Sequence, residues 1–295
     1  MPSREQLSKR RETEAARAWD RAAAVVRGLQ DVAYGLVLDW LAGRVEVDDN
    51  RRIKYTVRNF AALQGLRRVL DMFQRKYQKT VLDSVLEGAA DIFGLNEEYF
   101  QTFTAPAENV FDIARRKTLL RWGYDVEKGE LIAGGYFEAL FSSADVSRRV
   151  AGLVNRAIAA KMPLAEFQKQ FRQVFVGRAG QGMLERHFET NSFDLFQRID
   201  RTANLLYADR LGLNYAVYSG TLKDNSRPFC VERVNKVYSR AEIQWWEKLQ
   251  FQGKPKIGYD PFTDCGGFNC RHHLSFVSDE IAAHLRPDIK ENAKS

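Results

Sequence analysis

The nine-residue stretch Cys265–His273, CGGFNCRHH, contains two of the three cysteines and two of the four histidines of the chain. Thiolate sulfur and imidazole nitrogen are preferred ligands of Zn²⁺, and they are also groups used in nucleophilic catalysis. Gly266 and Gly267 let the backbone bend between the two cysteines without steric cost. The stretch therefore predicts a metal site, a catalytic centre or a glycine-rich loop with reduced thiols.

The spacing within this stretch allows two of its side chains to bind the same ion. If residues 270–276 are extended, successive side chains point to opposite faces, so Cys270 and His272 face one ion while Arg271 and His273 face away. Cys230 follows an earlier predicted strand, and pairing of the two strands would bring it beside them. With Cys265 added, the residues predict a closed structural zinc site formed by Cys230, Cys265, Cys270 and His272.

Two other interpretations fit the same residues. The three thiols could be reduced core cysteines that bind nothing, or Cys230 could be a nucleophile with His272 as its base and Asp224 orienting the imidazole. The His272-His273 pair near an asparagine also resembles a fragment of a metal-dependent nuclease site. The sequence after Phe276, however, is sparse for the helix that such a site needs. The residues alone leave these alternatives open.

Composition limits the class of protein. The chain has 295 residues, 45% of them hydrophobic, and a formal net charge of +7, which favours a polyanionic partner. The positive excess is not confined to one end, because residues 201–295 contain 14 Lys and Arg against 11 Asp and Glu. No long apolar run and no secretory signal are visible, so we expect a cytoplasmically made protein without a membrane span. Three cysteines, none before residue 230, argue against a disulfide framework.

Helical periodicity dominates the first two thirds of the chain. The earliest turns are polar and predict an extension that is solvated or that binds a partner. The glycines of 176–182 predict a linker near a domain boundary. Residues 44–50 predict a turn or an edge strand, and Pro106 predicts a loop. The predicted helices are Glu5–Leu41, Leu63–Leu86 with a basic outer face, Val110–Trp122, Asp145–Lys161 and Leu164–Phe175.

The C-terminal third predicts a small α+β unit. A helix from Phe193 to Tyr207 is closed by Gly212, and strands are predicted over 213–219 and 270–277. Ser239 and Glu242 have the spacing of a capping box, which starts a helix between the two strands.

Several short motifs of this region recur together in one known family. They are Arg201-Thr202, Tyr218-Ser219-Gly220, Asp224–Cys230, Lys236–Tyr238 and Gly266–His272. In this order, over about a third of the chain, they resemble the phage Mu protein F-like family of minor head, or head morphogenesis, proteins of tailed bacteriophages. The family has Cys or His where this chain has Cys230 and His272, and Cys where it has Cys270, an interchange that metal ligation tolerates.

The chain departs from the family pattern at four positions. Ala203 stands where the family often has Glu, Asn235 stands where Gly is common, Ser226 stands where Thr precedes the family Arg, and Cys265 matches no family position. The role of Cys265 as a fourth ligand is therefore the least supported by the resemblance. Asp224 and Arg227 match a polar pair before the first ligand position, and we expect them to fix the turn there.

The periodicity predicts a mainly helical region over 1–180, which we expect to bind partners such as the portal or DNA, and the resemblance implies a Mu F-like α+β domain over 181–283, followed by a tail over 284–295. It implies a virion structural protein of the capsid interior that is present in the host cytoplasm during assembly. Portal protein and other head proteins would be its partners, with packaged double-stranded DNA as a further one. We expect a role in head morphogenesis, DNA packaging or DNA ejection, with structural zinc and no enzymatic activity. The alternatives are a phage-borne enzyme or toxin-like effector, such as a metal-dependent nuclease, and a basic DNA-binding module.

Overall fold

Helix makes up 66% of the structure, and a small sheet region lies toward the C-terminus. The computed structural model describes residues 3–103, 109–141, 144–177 and 181–289. This confirms the coarse fold class, a mainly helical chain with a small α+β region near its C-terminus. Among these residues, no helix combines the length and the apolar character that crossing a bilayer would need.

The described residues form helices over most of their length and strands over a few short stretches. The helices are α1 (Arg4–Arg44), α2 (Val57–Gln101), α3 (Val110–Arg121), α4 (Tyr136–Phe141), α5 (Ala144–Ala159), α6 (Leu164–Phe175), α7 (Met183–Ser192), α8 (Leu195–Arg210), α9 (Pro228–Val231), α10 (Arg240–Trp245), α11 (Pro261–Asp264) and α12 (Asp279–Leu285). The strands are β1 (Tyr124–Asp125), β2 (Glu130–Leu131), β3 (Tyr215–Ser219), β4 (Val237–Ser239) and β5 (His273–Val277).

Two compact units share the chain, and their boundaries differ from the division expected at residue 180. The sheet unit contains residues 1–19, 87–136 and 193–295, and the helical unit contains 20–86 and 137–192. Helices α1 and α2 each contribute to both units. The extent of the Mu F-like region, 181–283, stays a prediction. The predicted loop at Pro106, the centre of the 176–182 linker and the end of the 284–295 tail lie outside the described residues.

In the sheet unit, the three strands β4, β3 and β5 form an antiparallel sheet with β3 in the middle. Tyr215 lies opposite Val277, and Ser219 lies opposite His273. Helix α8 packs beside β5, where the Asn204 amide donates a 2.7 Å hydrogen bond to the Leu274 carbonyl. The pairing of the two predicted strands, β3 and β5, is thus confirmed, and it sets the ends of both strands beside each other.

Local signals explain where the elements of this unit begin and end. Gly212 has φ +65° after α8, the left-handed conformation that the sequence predicts for a helix end. Asn235, with φ +64°, takes the same conformation just before β4. The Ser239 hydroxyl accepts from the Glu242 N–H at 3.3 Å, and the Glu242 carboxylate accepts from the Ser239 N–H at 2.7 Å, so the capping box is confirmed.

The first turns of α1 are buried in the sheet unit, so the expectation of a solvated extension is wrong. Leu7 and Arg11 are fully buried. The Arg11 guanidinium donates two hydrogen bonds to the Asp200 carboxylate, at 2.9 and 3.0 Å, and the Asn96 amide donates a third at 2.7 Å. Polar residues indicate an exposed helix only when nothing inside the fold is available to pair with them.

Strand β5 is buried along its whole length. Arg271 is exposed, as the alternation predicts, but His273 is only 1% exposed, so its predicted outward position is wrong. The Ser8 hydroxyl lies 2.8 Å from His273 Nε2, because the start of α1 covers the second face of the strand. Burial, with Arg11 nearby, lowers the pKa of His273 to about 3, so its imidazole is neutral near pH 7.

The helical unit has a core of aromatic side chains. Phe167, Phe171 and Phe175 are four residues apart along α6, so they share one face, and all three are buried. The Gln30 side-chain oxygen accepts from the backbone N–H groups of Leu184 and Glu185 at 3.2 and 3.3 Å, which satisfies free donors in the first turn of α7. Residues 44–50 contribute only an isolated bridge, Val47 with Ile53.

Candidate metal centre

Three of the four predicted ligands lie together beyond the ends of β3 and β5. Cys230 lies in the short helix α9, which begins with Pro228. Proline has no backbone N–H, but the N–H groups of a first helical turn have no partner within the helix, so this costs nothing here. Cys270 and His272 lie in the segment that leads into β5. Because Ser219 pairs with His273, the chain after β3 passes directly beside this segment.

The ligand atoms are spaced as the corners of a metal site. The two thiol sulfurs of Cys230 and Cys270 are 3.9 Å apart, and the Cys270 sulfur is 3.7 Å from His272 Nδ1. One ligand atom from each of the three residues lies within 4.8 Å of the other two. Tetrahedral zinc with Zn–S distances of ~2.3 Å places two sulfurs roughly 3.8 Å apart, so the spacing fits this ion.

The chemistry of the cluster also fits a metal rather than a disulfide. All three cysteines are free and buried, and a disulfide would need sulfurs about 2.05 Å apart. His272 is 5% exposed, and no described residue forms a hydrogen bond with its Nε2. A buried imidazole nitrogen without a partner is costly unless something else binds there. Cys230, Cys270 and His272 could therefore hold a metal ion.

Cys265, the predicted fourth ligand, is not a member of this group of mutually close atoms. Its side chain is fully buried, and its carbonyl accepts a 2.6 Å hydrogen bond from the Tyr259 hydroxyl. Burial raises the pKa of the Cys265 thiol, although the positive charge of Arg201 opposes this. Its role as a ligand stays a prediction, and the geometry supports three protein ligands.

The two close thiols differ in how readily they ionise. The hydrogen bond from Cys230 holds the pKa of Cys270 well below its usual value, against the effect of burial and with support from His272 and Arg201. The same hydrogen bond, together with burial, raises the pKa of Cys230. The hydrogen bond therefore favours ionisation of Cys270 over Cys230, and a bound cation would displace a thiol proton.

Arg201 fixes the backbone within residues 266–272, the segment that carries two of the ligands and is called the ligand segment below. It is buried, and its guanidinium donates to the carbonyls of Thr263 at 3.1 Å, of His272 at 3.0 Å and of Cys270. No carboxylate among the described residues pairs with it. Burial alone would lower the pKa of Arg201, but the cysteine sulfurs of Cys265 and Cys270 outweigh burial and raise it. Its charge thus stabilises the Cys270 thiolate while its hydrogen bonds fix the segment.

Two glycines are required because no side chain fits where the chain passes the cluster. A Cβ at Gly266 would lie 2.5 Å from the Cys230 sulfur and 3.0 Å from the Cys270 sulfur. The N–H of Gly266 donates to the Cys270 sulfur at 3.3 Å, a hydrogen bond that stabilises a thiolate. Gly220 has φ +141°, and a Cβ there would lie 2.8 Å from His272 Cδ2.

Tyr218 is a member of the cluster that the sequence did not predict as a site residue. Its ring stacks on the His272 ring at 5.3 Å between centroids and 10° between planes. Its hydroxyl lies 3.4 Å from the Cys230 sulfur and 3.6 Å from the Cys270 sulfur. Burial and the neighbouring cysteines raise its pKa well above the usual value, so the phenol stays protonated. The alternation of β3, which turns Tyr218 inward, was the available signal.

Of the two residues expected to fix the turn before Cys230, only Arg227 has a visible role. Its guanidinium donates to the carbonyls of Gly266 at 3.0 Å and Phe268 at 2.7 Å, which ties α9 to the ligand segment. Asp224 is exposed and makes no hydrogen bond to any described residue, so it does not orient His272 as the catalytic alternative requires. The cluster has the parts of a binding site but lacks the acid of a catalytic triad.

One side of the cluster opens into a polar cavity of about 440 Å³. Cys230, Cys270 and His272 contribute to its wall, and no Asp or Glu lines it. A metal-dependent nuclease needs carboxylates or similar groups to hold its ion and activate water. The cavity could supply water to a fourth coordination position, and no described carboxylate lines it.

Comparison of the chain with protein-family models, with curated proteins and with solved structures finds no match.

Proposed function

We propose that the chain is a minor head protein of a tailed bacteriophage, whose Mu F-like part is fastened by a metal held by Cys230, Cys270 and His272. One observation supports this most. The motifs that carry the resemblance, although spread over about 70 residues, meet in a single cluster. Unrelated motifs matched by chance would have no reason to contact one another.

The contacts assign each motif a part in that cluster. Arg201 and Arg227 hold the carbonyls of the ligand segment, Tyr218 stacks on a ligand, and Gly220 and Gly266 leave room for ligands. The segment before β4 contacts the cluster through its backbone, because the Lys236 carbonyl accepts a 3.0 Å hydrogen bond from the Tyr218 N–H. Such an arrangement serves to fix a fold, which is what a structural part of a virion requires.

The metal would act as a structural cross-link. Zn²⁺ suits two thiolates and an imidazole, and it would join α9 to the segment before β5. The three residues come from two stretches that are forty residues apart, so the ion would restrain a long loop. Binding would release a thiol proton and would occupy one nitrogen of the His272 imidazole.

Elemental analysis of full-length protein purified without chelator tests the metal. We expect about one zinc per chain, and Cys270→Ser should lose it. Cys265→Ser is the matched control, because three ligands predict that it keeps zinc, whereas the four-ligand prediction requires it to lose zinc. A well-folded wild-type protein without metal, with three titratable thiols, would refute the metal site.

Coexpression with a portal protein from the same source as this chain tests the assembly role. We expect the tagged chain to copurify with the portal ring, and a tagged unrelated basic protein of similar size should not. Failure to copurify from cells in which both proteins are soluble would contradict the proposal. Cleavage of single- or double-stranded DNA in the presence of Zn²⁺, Mg²⁺ or Mn²⁺ would instead support the nuclease alternative.

A further inference from the structure

The net charge of the molecule is carried by one unit. Residues 20–86 and 137–192, the helical unit, contain 20 Lys and Arg against 13 Asp and Glu, whereas the remaining residues contain 25 of each sign. The whole formal charge of +7 thus lies in the helical unit, although along the sequence the excess looks spread out. A surface with such an excess attracts polyanions.

Part of this excess surrounds one groove between α5, α6 and α7, which we call the basic groove. Its volume is about 710 Å³. Four exposed cations line it: Arg149 and Arg156 of α5, Lys169 of α6 and Arg186 of α7. None of these four forms an ion pair with a described residue. Unpaired cations that converge from three helices leave their charge available to a ligand.

The rest of the lining indicates which polyanion fits. Leu153 and Met183 are buried at the base, and the amides of Gln170 and Gln173 add neutral hydrogen-bond donors. Glu166 is the single carboxylate of the lining. No aromatic ring lines the groove, so it offers nothing on which unpaired bases could stack. Cations without stacking surfaces suit the phosphate backbone of a duplex.

We propose that the basic groove binds the phosphate backbone of double-stranded DNA without sequence specificity. The argument uses only the helical unit, so it holds whether or not the metal site or the portal association is correct. Arg149, Arg156, Lys169 and Arg186 would each neutralise a phosphate and release counterions. The amides would contribute hydrogen bonds to phosphate oxygens.

Fluorescence anisotropy with a labelled duplex of about 30 base pairs and the full chain tests this. Four phosphate contacts predict a slope of log affinity against log salt of roughly −3.6, so affinity should fall on the order of 100-fold between about 50 and 200 mM salt. The variant R149Q/R156Q/K169Q/R186Q should lose binding on the order of 100-fold and most of the salt dependence.

A control variant separates this surface from net charge alone. R210Q/K236Q/K248Q/K256Q removes four exposed cations of the sheet unit, so both variants have the same net charge. We expect the control to stay within about threefold of the wild type. Equal losses in both variants would overturn the proposal, as would tighter binding to a single strand or binding to anionic vesicles but not to the duplex. If the groove variant fails to fold, single K169Q and R186Q variants must each weaken binding.

Discussion

The two units use their charged residues in opposite ways. The sheet unit has no net charge, yet it contains four of the five described Arg, Asp and Glu side chains that are buried, namely Arg11, Asp200, Arg201 and Asp264. The helical unit has a net charge of +7, but it buries one such described side chain, Glu185, in a core of aliphatic and aromatic residues. The first unit thus places a few charges in its interior, whereas the described charges of the second are, apart from Glu185, not buried.

This difference suggests two roles for charge: buried charges help to specify the fold, and exposed charges attract a partner. A buried charge is costly unless its partners are in place, so it penalises any arrangement that misplaces them. Exposed cations contribute little to folding, because water and salt screen them, but they determine which ligands approach. We infer that substitutions of the buried charges of the sheet unit will change stability, whereas substitutions in the basic groove will change binding.

The largest effect is expected at the Arg11–Asp200 pair. Arg11→Ala leaves the buried Asp200 carboxylate without its main partner, and breaking such a pair costs about 3–5 kcal/mol. Lys9→Ala, which removes an exposed pair with Glu5 on the same helix, should cost no more than about 0.5 kcal/mol. Urea unfolding at pH 7 measures both. Equal small losses would mean that the first turns of α1 are not part of the sheet unit.

The same pair should make stability depend on acidity. Burial acts to raise the pKa of Asp200, but Arg11 and Asn96 outweigh it, so the folded-state pKa lies below its ordinary value. A lowered carboxylate pKa adds stability above the ordinary value and loses it as pH falls toward the folded-state pKa. The difference in unfolding free energy between the wild type and Asp200→Asn should therefore shrink below about pH 4.

A second effect is expected at Gly266, where the sheet unit has no room. The added methyl of Gly266→Ala would lie 2.5 Å from the Cys230 sulfur, and overpacking of this kind costs about 1–3 kcal/mol. Gly94→Ala in α2 is the matched control, because nothing lies within 4 Å of its Cβ, and it should be neutral or stabilising by up to about 1 kcal/mol. Thermal unfolding and zinc content should both fall for the first variant alone.

Much of the fold could be predicted because its signals are local. The apolar spacing of α6, the Gly212 helix end and the Ser239 capping box each depend on a few neighbouring residues. The inward alternation of Cys270 and His272 could be predicted for the same reason. His273 could not, because its burial depends on Ser8, which lies 265 residues away and covers a face that the strand pattern alone leaves open to water.

The supporting residues of the metal centre were harder to predict than its ligands. Cys and His indicate chemistry by their type, whereas Arg201 and Tyr218 act through contacts with residues far along the chain. Similarly, Cys265 is near the ligands in sequence and has φ +50°, but its sulfur is not in the group of mutually close ligand atoms, so its role as a ligand stays a prediction. Sequence proximity does not specify which way a side chain points in an irregular loop.

A smaller effect is expected from Tyr218→Phe, which keeps the ring and removes the hydroxyl. The hydroxyl is buried within hydrogen-bond distance of two sulfurs, and one such hydrogen bond contributes about 1 kcal/mol. Zinc affinity, measured by competition with a chromogenic chelator, should fall about threefold to tenfold while the fold is kept. Tyr238→Phe is the control, since its ring also belongs to the sheet unit but packs on Trp246 and makes no hydrogen bond or ring contact with a described ligand residue. An unchanged affinity would show that Tyr218 only packs against His272.

The smallest effect is expected in the basic groove and concerns a single carboxylate. Glu166 is exposed, accepts a 2.9 Å hydrogen bond from Gln170, and would face DNA phosphates among four cations. Glu166→Gln removes this repulsion, so duplex affinity should rise about twofold to fourfold at low salt, with stability unchanged within about 0.5 kcal/mol. Glu138→Gln, which changes the net charge equally outside the lining of the groove, should leave affinity nearly unchanged. Because the helical unit directs its charge outward, a change of charge there should be visible in binding and not in unfolding. The reverse should hold at Asp200.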